Sequence, residues 1–162
     1  MWSIELVEQA IDLGLSILPS MLLLTERKYQ SIEKPQMYIT VVRKKPDTKH
    51  SAWTNDIVSE RTYGNKRSWP SDKDFKAMSY RKAGFSHRTG KNSAEAPTSP
   101  MELAIDDPLI PGSVVVGDFI VSVSGWEPWL DQRLAYAIAH WIEALLARKL
   151  KELQAEGWLI AA

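Results

Sequence analysis

The sequence contains no cysteine. Disulfides, thiolate metal sites and cysteine nucleophiles are therefore excluded, and a disulfide-stapled secreted fold with them. Long apolar runs are also missing. The most apolar early stretch, residues 21–24, falls far short of the roughly 20 residues that span a bilayer, so no membrane partner is expected. The N-terminus lacks the basic region, apolar core and small-residue cleavage site of a secretory signal, which makes a cytoplasmic location the expectation. Histidine is scarce. His50, His87 and His140 lie too far apart for a zinc motif. Ser124 stands in Ser-Val-Ser-Gly-Trp, outside any Gly-x-Ser-x-Gly elbow. The segment from Gly84 to Gly90 lacks the Gly-Lys-Ser/Thr ending of a phosphate loop. Asp106-Asp107, adjacent acids before a proline, read as loop decoration. No catalytic constellation is legible, and the chain reads as a non-enzyme.

What is present suits one globular domain over residues 1–162. Of the 162 residues, 44% are hydrophobic and 25% charged, enough for a sizeable core. The formal charge is zero but unevenly spread. Residues 43–91 hold 13 Lys/Arg against 5 Asp/Glu, and the remainder holds 7 against 15. A basic half and an acidic half suit either an anionic ligand or head-to-tail pairing of subunits, set against the plainer reading of solvated faces.

The strongest local signal lies in residues 112–135. Two β-branched runs, Ser113–Val116 and Phe119–Ser124, flank Gly117-Asp118, the signature of a two-residue hairpin. After the Ser124-Gly125 corner, Leu130, Leu134, Ile138, Trp141 and Leu145 recur at helical spacing, and a helix is predicted over residues 127–154. Ser3 followed by Ile4, Val7, Ile11, Leu15 and Leu18 predicts an N-capped helix that stops or kinks at Pro19. Residues 36–44 read as a central strand and 51–58 as its returning partner, joined by a turn over 46–49. Polar sequence over 59–72 reads as loop, 72–86 as helix, and 87–93 as an exposed polar segment. Residues 94–111 carry four prolines and read as a long irregular connection, with a short helical turn around 101–105. Trp158 is expected to cap the core or sit in a subunit contact. The element order predicts an α+β domain.

Val123, Ser124, Gly125, Pro128, Asp131, Leu134 and Ala135 match the pattern Val-Ser-Gly-x-x-Pro-x-x-Asp-x-x-(Ile/Leu)-Ala, and on these residues the chain resembles the GlcG/HbpS-like family, also called the haem-degrading-domain or haem-binding-protein family. The basic helix and loop carrying Arg81, Lys82, His87, Arg88 and Ser93 are similar in kind to the family's middle helix. The resemblance implies a profilin-like antiparallel sheet of about five strands. N-terminal, middle and long C-terminal helices pack on it, and the chains assemble into dimers or larger rings. It also implies haem or a related tetrapyrrole as candidate ligand.

On that basis Arg81, Lys82 and Arg88 would meet a ligand's acidic groups, and Ser93 would lie beside them. His87 is the candidate axial ligand to haem iron, against the plainer reading of a surface histidine at a helix end. The Ser124-Gly125 corner would let backbone approach the ligand, with Trp126 covering it. His140 reads as a packed or interfacial histidine. Two functions compete: binding of a small, flat, anionic molecule, or an oligomeric interaction protein without such a ligand. Nucleic-acid binding is the weakest reading, because the basic residues are spread over strand, loop and helix.

Overall fold

The computed structural model describes residues 2–24, 36–44, 52–95 and 110–158. The turn over 46–49, Ser51 and the 101–105 helical turn lie outside the described residues.

Ser3 has extended backbone, and its hydroxyl accepts the Leu6 N–H at 3.2 Å, opening helix α1, Ile4–Leu15. Val7, Ala10, Ile11 and Gly14 form its buried stripe. Of the two expectations at Pro19, the stop is the nearer, since α1 ends at Leu15, a turn ahead of the proline, and residues 25–29 of the expected continuation lie outside the described residues. The chain resumes as a short helix α2, Leu18–Leu22, with proline in its first turn, where a missing N–H costs nothing.

Among the described residues four antiparallel strands, against about five expected, form a single sheet: β1 Met37–Arg43, β2 Ile57–Tyr63, β3 Ser113–Val116 and β4 Phe119–Ser124, in the order β2-β1-β4-β3. The hairpin forms as predicted, with Val116 opposite Phe119 across Gly117-Asp118. The returning partner of β1 does not. Residues 53–56 form a 3-10 turn, and the strand is Ile57–Tyr63, within the stretch expected as loop. Charge concealed this strand. Arg61 pairs with Glu8 and Asp12 of α1, while Glu60 accepts hydrogen bonds from Tyr38 and Tyr80. Both faces of this edge strand thus carry polar partners that no alternation of apolar residues announces.

β1 is buried on both faces. Met37, Ile39 and Val41 join Val121 and Val123 of β4 in the main core. Tyr38, Thr40 and Val42 face the other way. Helix α4, Pro128–Ala155, covers the first face with α1, through Leu130, Leu134, Ile138, Ile142 and Leu145. The two helices cross closely, since a Cβ on Gly14 would lie 2.5 Å from Ile138 Cγ1. Beyond Leu145 α4 has no buried residue, and Trp158 is 76% exposed, so it caps no core within this chain. Among the described residues no helix is long and apolar enough to cross a membrane.

Helix α3, Phe75–Thr89, covers the second face. The Asp74 carboxylate accepts the Ala77 N–H at 2.9 Å as N-cap, and Gly90, at φ +70°, ends the helix. It therefore starts and ends three residues later than predicted. His87 and Arg88, expected in an exposed segment, lie in its last turn. Ser79, Ala83 and Ser86 face the sheet, and Thr40 Oγ1 meets Ser79 Oγ at 2.9 Å. Small side chains bring the helix backbone close enough for the Ser122 hydroxyl to donate to the Ser79 carbonyl at 2.8 Å.

Candidate functional site

The end of β4 is where the three layers meet. A Cβ on Gly125 would stand 2.4 Å from the Gln36 carbonyl oxygen and 2.7 Å from Met37 Cβ, so only glycine fits this corner. From α3, the Lys82 ammonium reaches past the sheet and donates to the Val123 carbonyl at 2.9 Å and to Asp131 Oδ2 at 3.0 Å. The other carboxylate oxygen of Asp131 accepts the Trp126 N–H at 3.0 Å. Lys82 and Asp131 are 1% and 2% exposed. Burial pushes the Asp131 carboxyl above its ordinary range. The Lys82 cation and the backbone N–H groups of Trp126 and Gly125 oppose that shift.

Beside this pair opens a cleft of about 220 Å³. Phe75, Met78, Ile110 and Trp126 give it apolar walls, and Ser124, Gly125, Lys82 and Asp131 lie at its inner end. Asp72, Lys73 and Asp74 stand at its border. The Ser124 hydroxyl makes no side-chain hydrogen bond to another described residue. Trp126 is 3% exposed and belongs to the main core, so it is a wall of the cleft rather than a cover over it. Its Nε1 is buried with no partner among the described residues.

Four of the expected site residues, Lys82, Ser124, Gly125 and Trp126, are thus brought together. Lys82 does not offer the free cation that was expected, because its charge is met inside the fold by Asp131. No family model matches the chain, and no curated protein matches it.

The other expected residues lie elsewhere. His87, more than a turn beyond Lys82 on α3, places Nε2 3.1 Å from Asp56 Oδ2. Arg81 and Arg88 are on the exposed side of α3. Ser93 is buried at the outer edge of β3. Its hydroxyl accepts the Ser113 N–H at 2.9 Å and its own N–H donates to the Ser113 carbonyl at 3.1 Å, while Asn92 Oδ1 accepts the Val115 N–H at 2.8 Å. These contacts close the edge of the sheet. His140 is exposed rather than packed within this chain. It stacks on Tyr136 with ring centroids 6.0 Å apart and lies 3.3 Å from Glu143. Among the described residues no three His, Asp or Glu side chains form a metal-holding group.

Sequence reasoning missed Phe75, Met78 and Ile110 as cleft walls and Asp131 as the partner of Lys82. Asp131 was legible only as a member of the matched Val-Ser-Gly-x-x-Pro-x-x-Asp pattern. Its separation from Lys82 by 49 residues leaves no local signal of the pairing.

Proposed function

We propose that the chain is a small-molecule-binding domain without catalytic activity, a divergent relative of the GlcG/HbpS-like family, with its ligand seated in the cleft at the end of β4. The observation that carries this reading is the composition of the cleft. Apolar walls converge on the Ser124 hydroxyl, and the charges beneath it already neutralise one another. Such a site favours a flat, mainly apolar body with a polar group directed at Ser124. Haem or a related tetrapyrrole belongs to the proposal through the family resemblance. It needs a wider opening, since about 220 Å³ lies below the roughly 300–1,000 Å³ of pockets that hold drug-sized ligands. His87 is not placed to ligate iron there, since it meets Asp56 at the end of the sheet away from Ser124.

The test is a haemin titration followed at the Soret band, on wild type, His87→Ala and the cleft-filling Ser124→Leu, with a benzoate titration followed at the Trp126 indole resonance. A saturable, shifted Soret band abolished by Ser124→Leu and unchanged in His87→Ala puts a tetrapyrrole in the cleft, whereas one weakened by His87→Ala alone puts it at the other end of α3 and overturns the cleft. A featureless haemin signal with saturable benzoate binding retains the cleft for a smaller planar ligand. No response to either compound overturns the reading. Melting curves of both variants establish that they fold.

A second reading, self-assembly, is favoured by the outer side of α4, where Trp129 and Trp141 are 51% and 40% exposed. Two large exposed aromatics near Tyr136 and His140 suit an interface between copies of the chain. Light scattering is expected to give a mass above the 18.3 kDa of one chain, falling to the monomer value in Trp141→Glu. A monomer at every concentration removes this reading.

A further inference from the structure

The cleft leaves the basic excess of residues 43–91 unused. Beyond Asp72, Lys73 and Asp74, on the other side of that segment, lies an open groove of about 490 Å³ lined also by Lys66, Trp69, Ser71 and Lys76. Each acidic group at this place is engaged. Asp72 meets Lys73 at 2.9 Å, and Asp74 caps α3. Glu60, beneath Lys76, accepts hydrogen bonds from Tyr38 and Tyr80 and lies 3.6 Å from the Lys76 ammonium. Lys66 differs. Among the described residues it has no carboxylate partner, and its ammonium stands over the rings of Tyr38 and Trp69, 5.8 and 5.9 Å from their centroids.

Trp69 adds a second, independent feature. It is 8% exposed, wedged against Phe75 with ring centroids 4.8 Å apart, and its buried Nε1 donates to nothing among the described residues. An orphaned buried N–H donor is costly, and most such groups have a partner. Lysine ammonium groups, an indole N–H and the Ser71 hydroxyl supply donors of one polarity to one small area.

We propose that the groove formed by Lys66, Trp69, Ser71 and Lys76 is an oxyanion site, which takes the phosphate group of a small phosphate ester or free phosphate. Lys66 supplies the uncompensated charge, Lys76 a second cation, and the Trp69 indole, whose N–H must turn out from its buried position, the directional donor. The 3-10 turn Lys66–Ser68 is held by the Asn65 side chain, which accepts the Arg67 N–H at 3.0 Å, so Lys66 is presented on a fixed turn. The inference stands apart from the ligand of the cleft, with which the groove shares only residues 72–74.

The experiment follows the tryptophan indole N–H resonances by NMR, with Trp69→Phe identifying the one that matters. Inorganic phosphate and phenyl phosphate are titrated against chloride at matched ionic strength. The Trp69 resonance is expected to move saturably with phosphate. Lys66→Gln is expected to weaken binding about tenfold, the loss typical of one charged hydrogen-bond donor, whereas Lys151→Gln on α4 leaves it unchanged. Tighter binding of phenyl phosphate makes an ester the preferred form, and equal binding makes it free phosphate. A Trp69 resonance that follows ionic strength alone, or saturable binding that Lys66→Gln leaves intact, overturns the site. Because Ser124→Leu fills the cleft without touching the groove, it is expected to leave phosphate binding unchanged, so failure of either site is seen separately.

Discussion

Lys82→Met is expected to lower folding stability by about 3–5 kcal/mol at neutral pH, the cost of leaving one member of a buried ion pair without the other. At roughly 2–4 °C per kcal/mol for a chain of this size, the melting temperature falls by about 10 °C. The variant keeps the length and apolar character of the lysine stem but leaves the Asp131 carboxylate facing an uncharged thioether in a nearly closed site. The loss is therefore pH-dependent, with a definite sign. Burial holds the Asp131 carboxyl above its ordinary value in the fold, so the folded chain binds this proton more tightly than the unfolded chain. That contribution is complete below the ordinary carboxylate value of about 3.9 and is lost as pH rises through the folded value. Removing the cation moves the folded value further up. The deficit of Lys82→Met is thus smallest in acid and grows toward neutrality. Denaturant melts across this range check it. A companion Lys82→Met/Asp131→Leu variant recovers much of the loss, because an apolar pair in place of a buried ion pair is often neutral or stabilising. A single variant as stable as wild type at neutral pH would show that the pair does not hold α3 to α4.

Gly112→Ala is expected to cost about 2–6 kcal/mol, from about 1–3 of backbone strain and about 1–3 of overpacking. At φ +136° the residue occupies a conformation that side chains rarely adopt. The added Cβ would also lie 2.4 Å from Lys82 Nζ and 2.7 Å from the Val123 carbonyl oxygen. The backbone cannot easily withdraw. The Gly112 carbonyl accepts the Val123 N–H at 2.7 Å, and its own N–H donates to Gln132 Oε1 at 2.6 Å. Gly117→Ala separates the two causes. At φ +53° this residue also disfavours a side chain, but nothing lies within 4 Å of its Cβ position, so its cost is about 1–2 kcal/mol. Equal melting temperatures for the two variants would falsify the assignment of the larger loss to the contact with Lys82.

The parts of the fold legible in the sequence were those whose signals are local. Ser3 sits next to the turn it caps, Gly117-Asp118 joins strands that follow each other directly, and the stripe of α4 repeats along one helix, although its buried member is Ile142 where Trp141 was expected. The Ser124-Gly125-Trp126 corner was legible for the same reason, as glycine between a strand and a helix. The fate of charged and polar residues was less legible. Glu60 and Arg61 looked like loop because their partners, Tyr38, Tyr80, Glu8 and Asp12, are brought to them by other elements. The haem-ligand reading of His87 rested on its neighbours in sequence. In the fold, rotation along α3 turns Lys82 inward to the cleft and leaves Arg81 and Arg88 on the exposed side, while His87 meets Asp56 of a different segment.

By itself, then, the sequence determined an α+β domain without disulfides, a hairpin leading into a long helix, and a glycine corner between them, because each depends on backbone preferences and on spacing along a few residues. Only the tertiary structure decided that four strands make up the sheet of the described residues, that Lys82 is neutralised rather than offered to a ligand, and that the cleft is walled by Phe75, Met78 and Ile110. Those outcomes depend on which side chains from distant segments share a small volume from which water is excluded. There the cost of an unpaired charge, rather than any local preference, selects the partner.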